Sequence, residues 1–99
     1  MNIDTIKSVY FVGAGGIGMS ALVRYFLSLG KVVAGYDRTP SALTERLNVE
    51  GAAIHYEDDC ALIPESCQDK EHTLVVYTPA VPQDHSELTW FRTDRKSVV

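Results

Sequence analysis

Three closely spaced glycines after an apolar run are the first residues whose types and spacing indicate chemistry. Gly13, Gly15 and Gly18 fit the pattern G-x-G-x-x-G within "VGAGGIGMS". In this pattern the first glycine makes a tight turn, the second lets the backbone approach a phosphate, and the third lets a helix pack closely on a strand. The amides and dipole of that helix attract an anion. The pattern therefore predicts a phosphate-binding loop, where the Ser20 hydroxyl is a further donor.

An acidic residue stands where dinucleotide-binding domains hold a ribose. Asp37 ends a second apolar run, about 20 residues after Gly18, and an acid at this distance binds ribose hydroxyls. A solvated turn residue before Thr39 and Pro40 is the alternative, because Asp is common in turns. Arg38 could pair with a phosphate or be a solvated surface charge. No G-x-x-x-x-G-K-[ST] sequence is present, so no P-loop for ATP is predicted.

A second unusual loop, "TPAVP" at 78–82, follows another apolar run. Its two prolines bracket Ala80 and Val81 and bias the backbone there to stiff, extended forms. Such a loop can present amide and carbonyl groups to the edge of a planar base. Equally, it can be a connector whose prolines only end the strand. The residues alone leave both interpretations open.

The segments between these loops alternate between strand and helix patterns. Short β-branched and aromatic runs predict strands, at 8–13, 31–37, 52–56 and 73–78. Helical spacing and end signals predict helices, at 17–30, from Thr39-Pro40 to about 49, and at 84–91. Asp84 and Glu87 have the spacing of a capping box at the start of the last helix. The expected core face of the first helix consists of Ile17, Ala21, Leu22, Tyr25, Phe26 and Leu29.

This alternation predicts an α/β fold, a three-layer Rossmann-like domain with a small parallel sheet and helices on both faces. Right-handed crossovers favour the strand order 3-2-1-4, with room for one more strand. Strands 1 and 4 are then neighbours, and ligands bind at the carboxyl ends of strands where the chain direction reverses. The loops at 13–18 and 78–82 therefore meet at one place.

Composition narrows the class of protein. The 99 residues suit one small domain, and the net charge of -4 argues against binding to nucleic acid or to an anionic membrane. No apolar run is long enough to span a membrane, and "MNIDTIK" makes a poor signal peptide. Cys60 and Cys67 do not form a CxxC pair, so we expect reduced thiols in a cytoplasmic protein.

Three segments together resemble the N-terminal domain of the Mur ligases: "YFVGAGGIGMSALVRYFLSLGKVVAGYD", "LTERLNVEGAAIH" and "VVYTPAVPQDHSEL". The resemblance covers about residues 6–92 and is most specific in "GGIGMSALVRY" and "YTPAVP". It implies a Rossmann-like domain that binds a UDP-sugar rather than NAD. Within the family it is greatest to the branch that joins L-alanine to UDP-N-acetylmuramate in peptidoglycan synthesis. The branch that recycles murein tripeptide is a close alternative.

The resemblance also implies which residues contact the UDP-sugar. The diphosphate would lie against Gly13, Ala14, Gly15, Gly16, Ile17, Gly18, Met19 and Ser20. The uridine would be lined by Asp37, Arg38, Thr78, Pro79 and Ala80, with His55 as a weaker candidate. For His55, a partly buried position at the end of a strand is the more ordinary interpretation. His72 and His85 are expected at the surface, and no His, Cys or Asp spacing suggests a metal site.

The resemblance places the remaining chemistry outside these residues. In that family ATP, magnesium and the catalytic residues belong to a central domain, and a C-terminal domain helps to hold the amino acid. We therefore expect residues 1–99 to be one N-terminal domain of a longer ligase, inactive and without a cofactor alone, with those domains as its partners in cis. The residues leave two alternatives open: an NAD(P)-binding domain of an oxidoreductase, and an interaction domain with an empty glycine loop.

Overall fold

The computed structural model describes residues 5–15, 18–68, 72–77 and 85–93 of the chain. Its strands are β1 (Ser8–Val12), β2 (Val32–Tyr36), β3 (Ala53–His55) and β4 (Thr73–Tyr77). Its α-helices are α1 (Met19–Ser28), α2 (Ala42–Glu50) and α3 (Ser86–Thr93). Two short 3-10 turns, Cys60–Leu62 and Glu65–Cys67, precede β4.

The four strands form one parallel sheet in the order β3-β2-β1-β4, as the sequence predicted. All five residues of β1 are buried, because β1 lies between β2 and β4 and both faces of the sheet are covered. Val12 pairs with both Tyr36 and Tyr77, so three strands end side by side. The loop after β1 therefore starts at the reversal point of the sheet.

Alternate side chains of β1 enter two separate apolar clusters. Val9 and Phe11 pack with residues of α1 and α2. Tyr10 and Val12 point to the opposite face, where the cluster includes Ile63, Cys67 and Val75, with Trp90 of α3 packed against it. This division confirms helices on both faces, although much of the second face is covered by the 3-10 turns. The part of the chain that is described contains no helix long and apolar enough to cross a membrane.

The buried face of α1 shares Phe26 with the predicted one and otherwise differs from it. The side chains turned into the core are Met19, Val23 and Phe26. Three residues of the predicted face are instead 41%, 52% and 45% exposed: Leu22, Tyr25 and Leu29. Both sets have helical spacing, so α1 carries two apolar stripes, and periodicity alone cannot choose between them. The first stripe is the one that packs with residues of β1, β2 and α2 in the core.

The start of α2 lies two residues later than the sequence predicted, and glycines follow the ends of α1 and α2. The N-cap of α2 is Ser41 rather than Thr39, and its side chain accepts a hydrogen bond from the amide of Thr44. The Thr44 hydroxyl in turn accepts from the amide of Ser41, which completes a capping box. Gly30 follows α1 with φ of 77° and Gly51 follows α2 with φ of 120°, so a glycine in the left-handed region ends each helix.

Candidate functional site

The start of the glycine loop is tied to the end of β2. Gly13, with φ of 93°, donates its amide to the carbonyl oxygen of Tyr36 at 2.7 Å, and the amide of Ala14 donates to the same oxygen at 2.9 Å. Ala14 is fully buried. These two amides therefore already have acceptors within the chain, and their part in the loop is to fix its path.

The middle glycine of the pattern lies directly against Asp37. The amide of Gly15 donates to Asp37 Oδ2 at 2.6 Å, and a Cβ on Gly15 would lie 2.6 Å from that oxygen and 3.0 Å from Thr44 Cγ2. The other carboxylate oxygen, Oδ1, accepts from the amide of Thr39 at 2.9 Å. The structure thus brings together Asp37 and the glycine loop. It also explains Thr39, which belongs to the turn made by Asp37 and not to the start of α2.

The N-terminus of α1 is open to an anion. Gly18 occupies the N-cap position in the left-handed conformation and has no side chain to cap the helix, the described residues include no side-chain cap there, and the first turn carries no acidic residue. The free amides and the dipole of such a helix end amount to about half a positive charge. Met19 contributes only backbone here, because its side chain is buried in the core, while Ser20 is partly exposed.

Several predicted contacts lie outside the described residues: Gly16, Ile17, Thr78, Pro79 and Ala80. The end of β4 is described, and Tyr77 pairs with Val12 immediately before the glycine loop. Arg38 is exposed beside Asp37. The two loops therefore start from neighbouring strands, as the topology predicted.

A buried carboxylate that the sequence did not reveal lies on the opposite face of the sheet. Glu87 of α3 is fully buried. Its Oε1 accepts from the Tyr10 hydroxyl at 2.5 Å, and its Oε2 lies 2.6 Å from His55 Nε2 and accepts from the amide of Asp59 at 3.1 Å. We call Glu87, Tyr10, His55 and Asp59 the Glu87 network. The capping-box role predicted for Glu87 is wrong, because its side chain points into the protein.

Burial sets the chemistry of this network. Desolvation, followed by the hydrogen bond to Glu87, raises the pKa of Tyr10 far above its ordinary value, so Tyr10 remains a hydroxyl donor. His55 is 19% exposed, and its Nε2 is engaged by Glu87 and Tyr10. His55 thus has the partly buried position at the end of a strand, and its contact with a nucleotide stays a prediction. The sequence held one signal that Glu87 is buried: it lies three residues before Trp90, and residues with this spacing share one face of a helix.

The N-terminus of α3 is capped by a residue far away in the sequence. Asp58 accepts hydrogen bonds from the amides of Ser86 and Glu87 and from the Ser86 hydroxyl. Desolvation alone would raise the pKa of Asp58, but the hydrogen bonds from Ser86 and Glu87 outweigh it and hold that pKa below its ordinary value. The predicted N-cap, Asp84, lies outside the described residues.

His85 is buried and not at the surface as predicted. It is 7% exposed, its ring packs edge-on against Tyr36 with 4.5 Å between centroids, and Nδ1 lies 3.1 Å from Asp58 Oδ1. The separation from Asp58 is that of an ion pair when the ring is protonated, but neither ring nitrogen makes a hydrogen bond within the described residues. His85 therefore joins α3 to the end of β2.

No group of three His, Cys, Asp or Glu side chains is placed to hold a metal ion within residues 5–15, 18–68, 72–77 and 85–93. Cys67 is a free, buried thiol. Burial raises its pKa to about 11, so the thiol stays protonated and weakly reactive near neutral pH.

Comparison with known proteins gives one family. The model described as "Mur ligase family, catalytic domain" matches residues 8–98. A curated relative, UDP-N-acetylmuramate–L-alanine ligase of Phocaeicola vulgatus, is 68% identical over 92 residues, which are 93% of this chain and 20% of that protein. The chain therefore spans about a fifth of the length of the curated relatives it matches.

Two solved structures are similar to this fold. UDP-N-acetylmuramate–alanine ligase of Thermotoga maritima has a TM-score of 0.78 and 31% identity, over 92% of this chain and 20% of that one. The UDP-N-acetylmuramate:L-alanyl-gamma-D-glutamyl-meso-diaminopimelate ligase from Neisseria meningitides has a TM-score of 0.77 over 95% of this chain and 28% of that one. At 17% identity the second similarity concerns the fold alone.

Proposed function

Since this chain belongs to the Mur ligase family, we propose that it binds the UDP part of UDP-N-acetylmuramate, with the diphosphate at the N-terminus of α1. The observation that carries the proposal is the first turn of α1 after Gly18, which has no side-chain cap among the described residues and lies where β1 runs between β2 and β4. A helix end of this kind attracts phosphate through its free amides and its dipole. High identity to UDP-N-acetylmuramate–L-alanine ligases supports the choice of ligand.

The residues divide into those that shape the loop and those that contact the ligand. The amides of Gly13, Ala14 and Gly15 have internal acceptors, so in this proposal they hold the loop in place. The amides of Gly18, Met19 and Ser20 face the diphosphate. The contacts of Gly16 and Ile17 with phosphate remain predictions, as do those of Asp37, Arg38, His55, Thr78, Pro79 and Ala80 with the uridine.

In the whole protein we propose that this chain is an N-terminal domain that anchors the UDP part of the substrate. The whole ligase would join L-alanine to UDP-N-acetylmuramate, with ATP activating the muramoyl carboxylate. In this proposal, which follows the family resemblance, ATP and magnesium would be held by other domains of the ligase. Binding the remote UDP part would convert affinity into orientation of the reacting carboxylate. A cytoplasmic location remains a prediction from the sequence.

Titration of the chain with three ligands tests the proposal. We expect UDP and UDP-N-acetylmuramate to bind and to shift the amide resonances of Gly18 to Ser20, and NADH to leave them unchanged. NADH competes here because G-x-G-x-x-G followed by Asp37 also suits a dinucleotide. Binding of NADH without binding of UDP would replace this proposal with an oxidoreductase domain.

A charge placed in the first turn of α1 tests the position of the diphosphate. Ser20→Glu adds a carboxylate where it favours the helix dipole, so the fold is retained while an anionic ligand is repelled. We expect UDP affinity to fall at least tenfold, which is the effect of about 1.4 kcal/mol. Val49→Glu adds the same charge at the far end of α2, at a side chain 88% exposed, and is the control. Equal UDP affinity in the two variants would place the ligand elsewhere.

A further inference from the structure

Three polar contacts connect Glu87 of α3 to the glycine loop on the other side of β2. The carboxylate Oε2 of Glu87 lies 2.6 Å from His55 Nε2. The carbonyl oxygen of His55 accepts the amide of Asp37 at 3.0 Å, and Asp37 Oδ2 accepts the amide of Gly15 at 2.6 Å. All four residues of this path lie in the part of the chain that the structure describes. The path starts at a fully buried charge-bearing side chain and ends in the loop proposed to face phosphate.

We propose that Glu87 is a positioning residue for the diphosphate site, acting on Gly15 through His55 and Asp37. This inference rests on the proposed function for its effect on UDP, while its effect on the loop can be measured without ligand. Glu87 is fully buried and is not a ligand contact. Its role is to hold the end of β3. The carbonyl of His55 there accepts the amide of Asp37, and the Asp37 carboxylate accepts the amide of Gly15 in the glycine loop.

The end of β3 needs such support because β3 is short and lies at the edge of the sheet. It has three residues and pairs only with β2 among the described strands. Edge strands of this length have few backbone contacts and belong to the less stable parts of a fold. His55 is the last residue of β3, and its side-chain contact with Glu87 ties this end to α3.

The chemistry of the network requires a carboxylate at position 87. The Tyr10 hydroxyl and the Asp59 amide both donate to Glu87. Because a carboxylate only accepts, His55 makes the third contact in the tautomer that carries a proton on Nε2. A carboxylate accepts from all three. The amide group of a glutamine has a single acceptor oxygen: in one orientation its NH₂ group faces the Asp59 amide, which cannot accept, and in the other the Tyr10 hydroxyl must turn from donor to acceptor. The change Glu87→Gln therefore keeps the side-chain shape but breaks the pattern of hydrogen bonds.

The Gly15 amide reports directly on this path. We expect Glu87→Gln to move the Gly15 amide proton upfield and to speed its hydrogen exchange, because its hydrogen bond to Asp37 lengthens. The dissociation constant for UDP should rise on the order of tenfold, a size typical of coupling through packed networks. Glu45→Gln makes the same chemical change at an exposed position of α2 and is the control. Val23 in the α1 core reports whether the fold is retained.

A second variant covers the case in which Glu87→Gln does not fold. His55→Leu leaves Glu87 with its Tyr10 and Asp59 donors but removes the connection to β3, so the Gly15 amide should change in the same direction. Failure of wild-type protein to bind UDP would contradict the proposed function and would leave the Gly15 test intact. An unchanged Gly15 amide in a folded Glu87→Gln protein, or failing that in His55→Leu, would overturn the positioning role.

Discussion

At the scale of single residues, two glycines are required because another group occupies the place of a side chain. At Gly15 that group is the Asp37 carboxylate, which lies within the proposed site. At Gly35 it is the backbone of β1: a Cβ would lie 2.5 Å from the carbonyl oxygen of Phe11. Gly35 pairs with Phe11 in the parallel register of β1 and β2. Only the three-dimensional structure distinguishes Gly35 from an ordinary glycine in a strand.

Gly35→Ala should lower the free energy of unfolding by about 1–3 kcal/mol, the usual cost of adding a methyl group to a packed core. The clash is with backbone, so a side-chain rotation does not relieve it. Urea unfolding monitored by circular dichroism measures the change. Val32→Thr in the same strand, at a side chain 48% exposed, should stay within about 0.5 kcal/mol of wild type. A fully stable Gly35→Ala protein would show that β1 and β2 separate without cost.

At the scale of elements, local and distant caps behave differently. The cap of α2 comes from Ser41 and Thr44 within the helix start, so its partners are three residues apart, although Thr at the second position departs from the usual Glu or Gln and the sequence pointed to Thr39 instead. The cap of α3 comes from Asp58, 28 residues before Ser86. Nothing in the local sequence of α3 indicates it, because the contact exists only when the segment after β3 packs against α3.

Asp58→Ala should destabilise the protein by about 1 kcal/mol at neutral pH, as loss of a helix cap usually does. The pKa of Asp58 is lower in the folded protein than its ordinary value of 3.8. Its contribution is therefore present above pH 3.8 and is lost as the pH falls through the folded value. Urea unfolding at pH 7 and pH 3 should show the difference from wild type shrinking in acid. Glu57→Ala, at an exposed neighbour, is the control, and equal effects of both changes would contradict the capping role.

At the scale of the whole molecule, the sheet separates two chemically different layers. On the face covered by α1 and α2 the described buried residues are apolar except for Thr44, and none of them is ionisable. The opposite face contains the Glu87 network and the buried His85 beside Asp58. The free energy of unfolding therefore depends on the protonation of Tyr10 and Asp58 in the second layer, whereas the first layer contributes through packing.

Tyr10 should make the protein sensitive to alkaline conditions. Its pKa in the folded state is raised above the ordinary value of 10.0, so its stabilising effect is complete below pH 10 and is lost as the pH rises beyond it. Urea unfolding between pH 8 and pH 11 should show a steeper loss in wild type than in Tyr10→Phe. The variant should be less stable at pH 8, because Glu87 loses one donor. Parallel pH profiles would show that the Tyr10 hydroxyl is not buried as described.

Local patterns and the handedness of crossovers by themselves determined the order of the sheet and the position of the glycine loop, whereas the contact between Asp37 and Gly15 was seen only in the structure. The sheet order and the loop position follow from residues close in sequence and from a rule that all parallel sheets obey. Which stripe of α1 is buried, the cap of α3 by Asp58, and the burial of Glu87 and His85 were decided only by the tertiary structure. Each depends on how elements distant in sequence rotate and pack against one another, which no local pattern records.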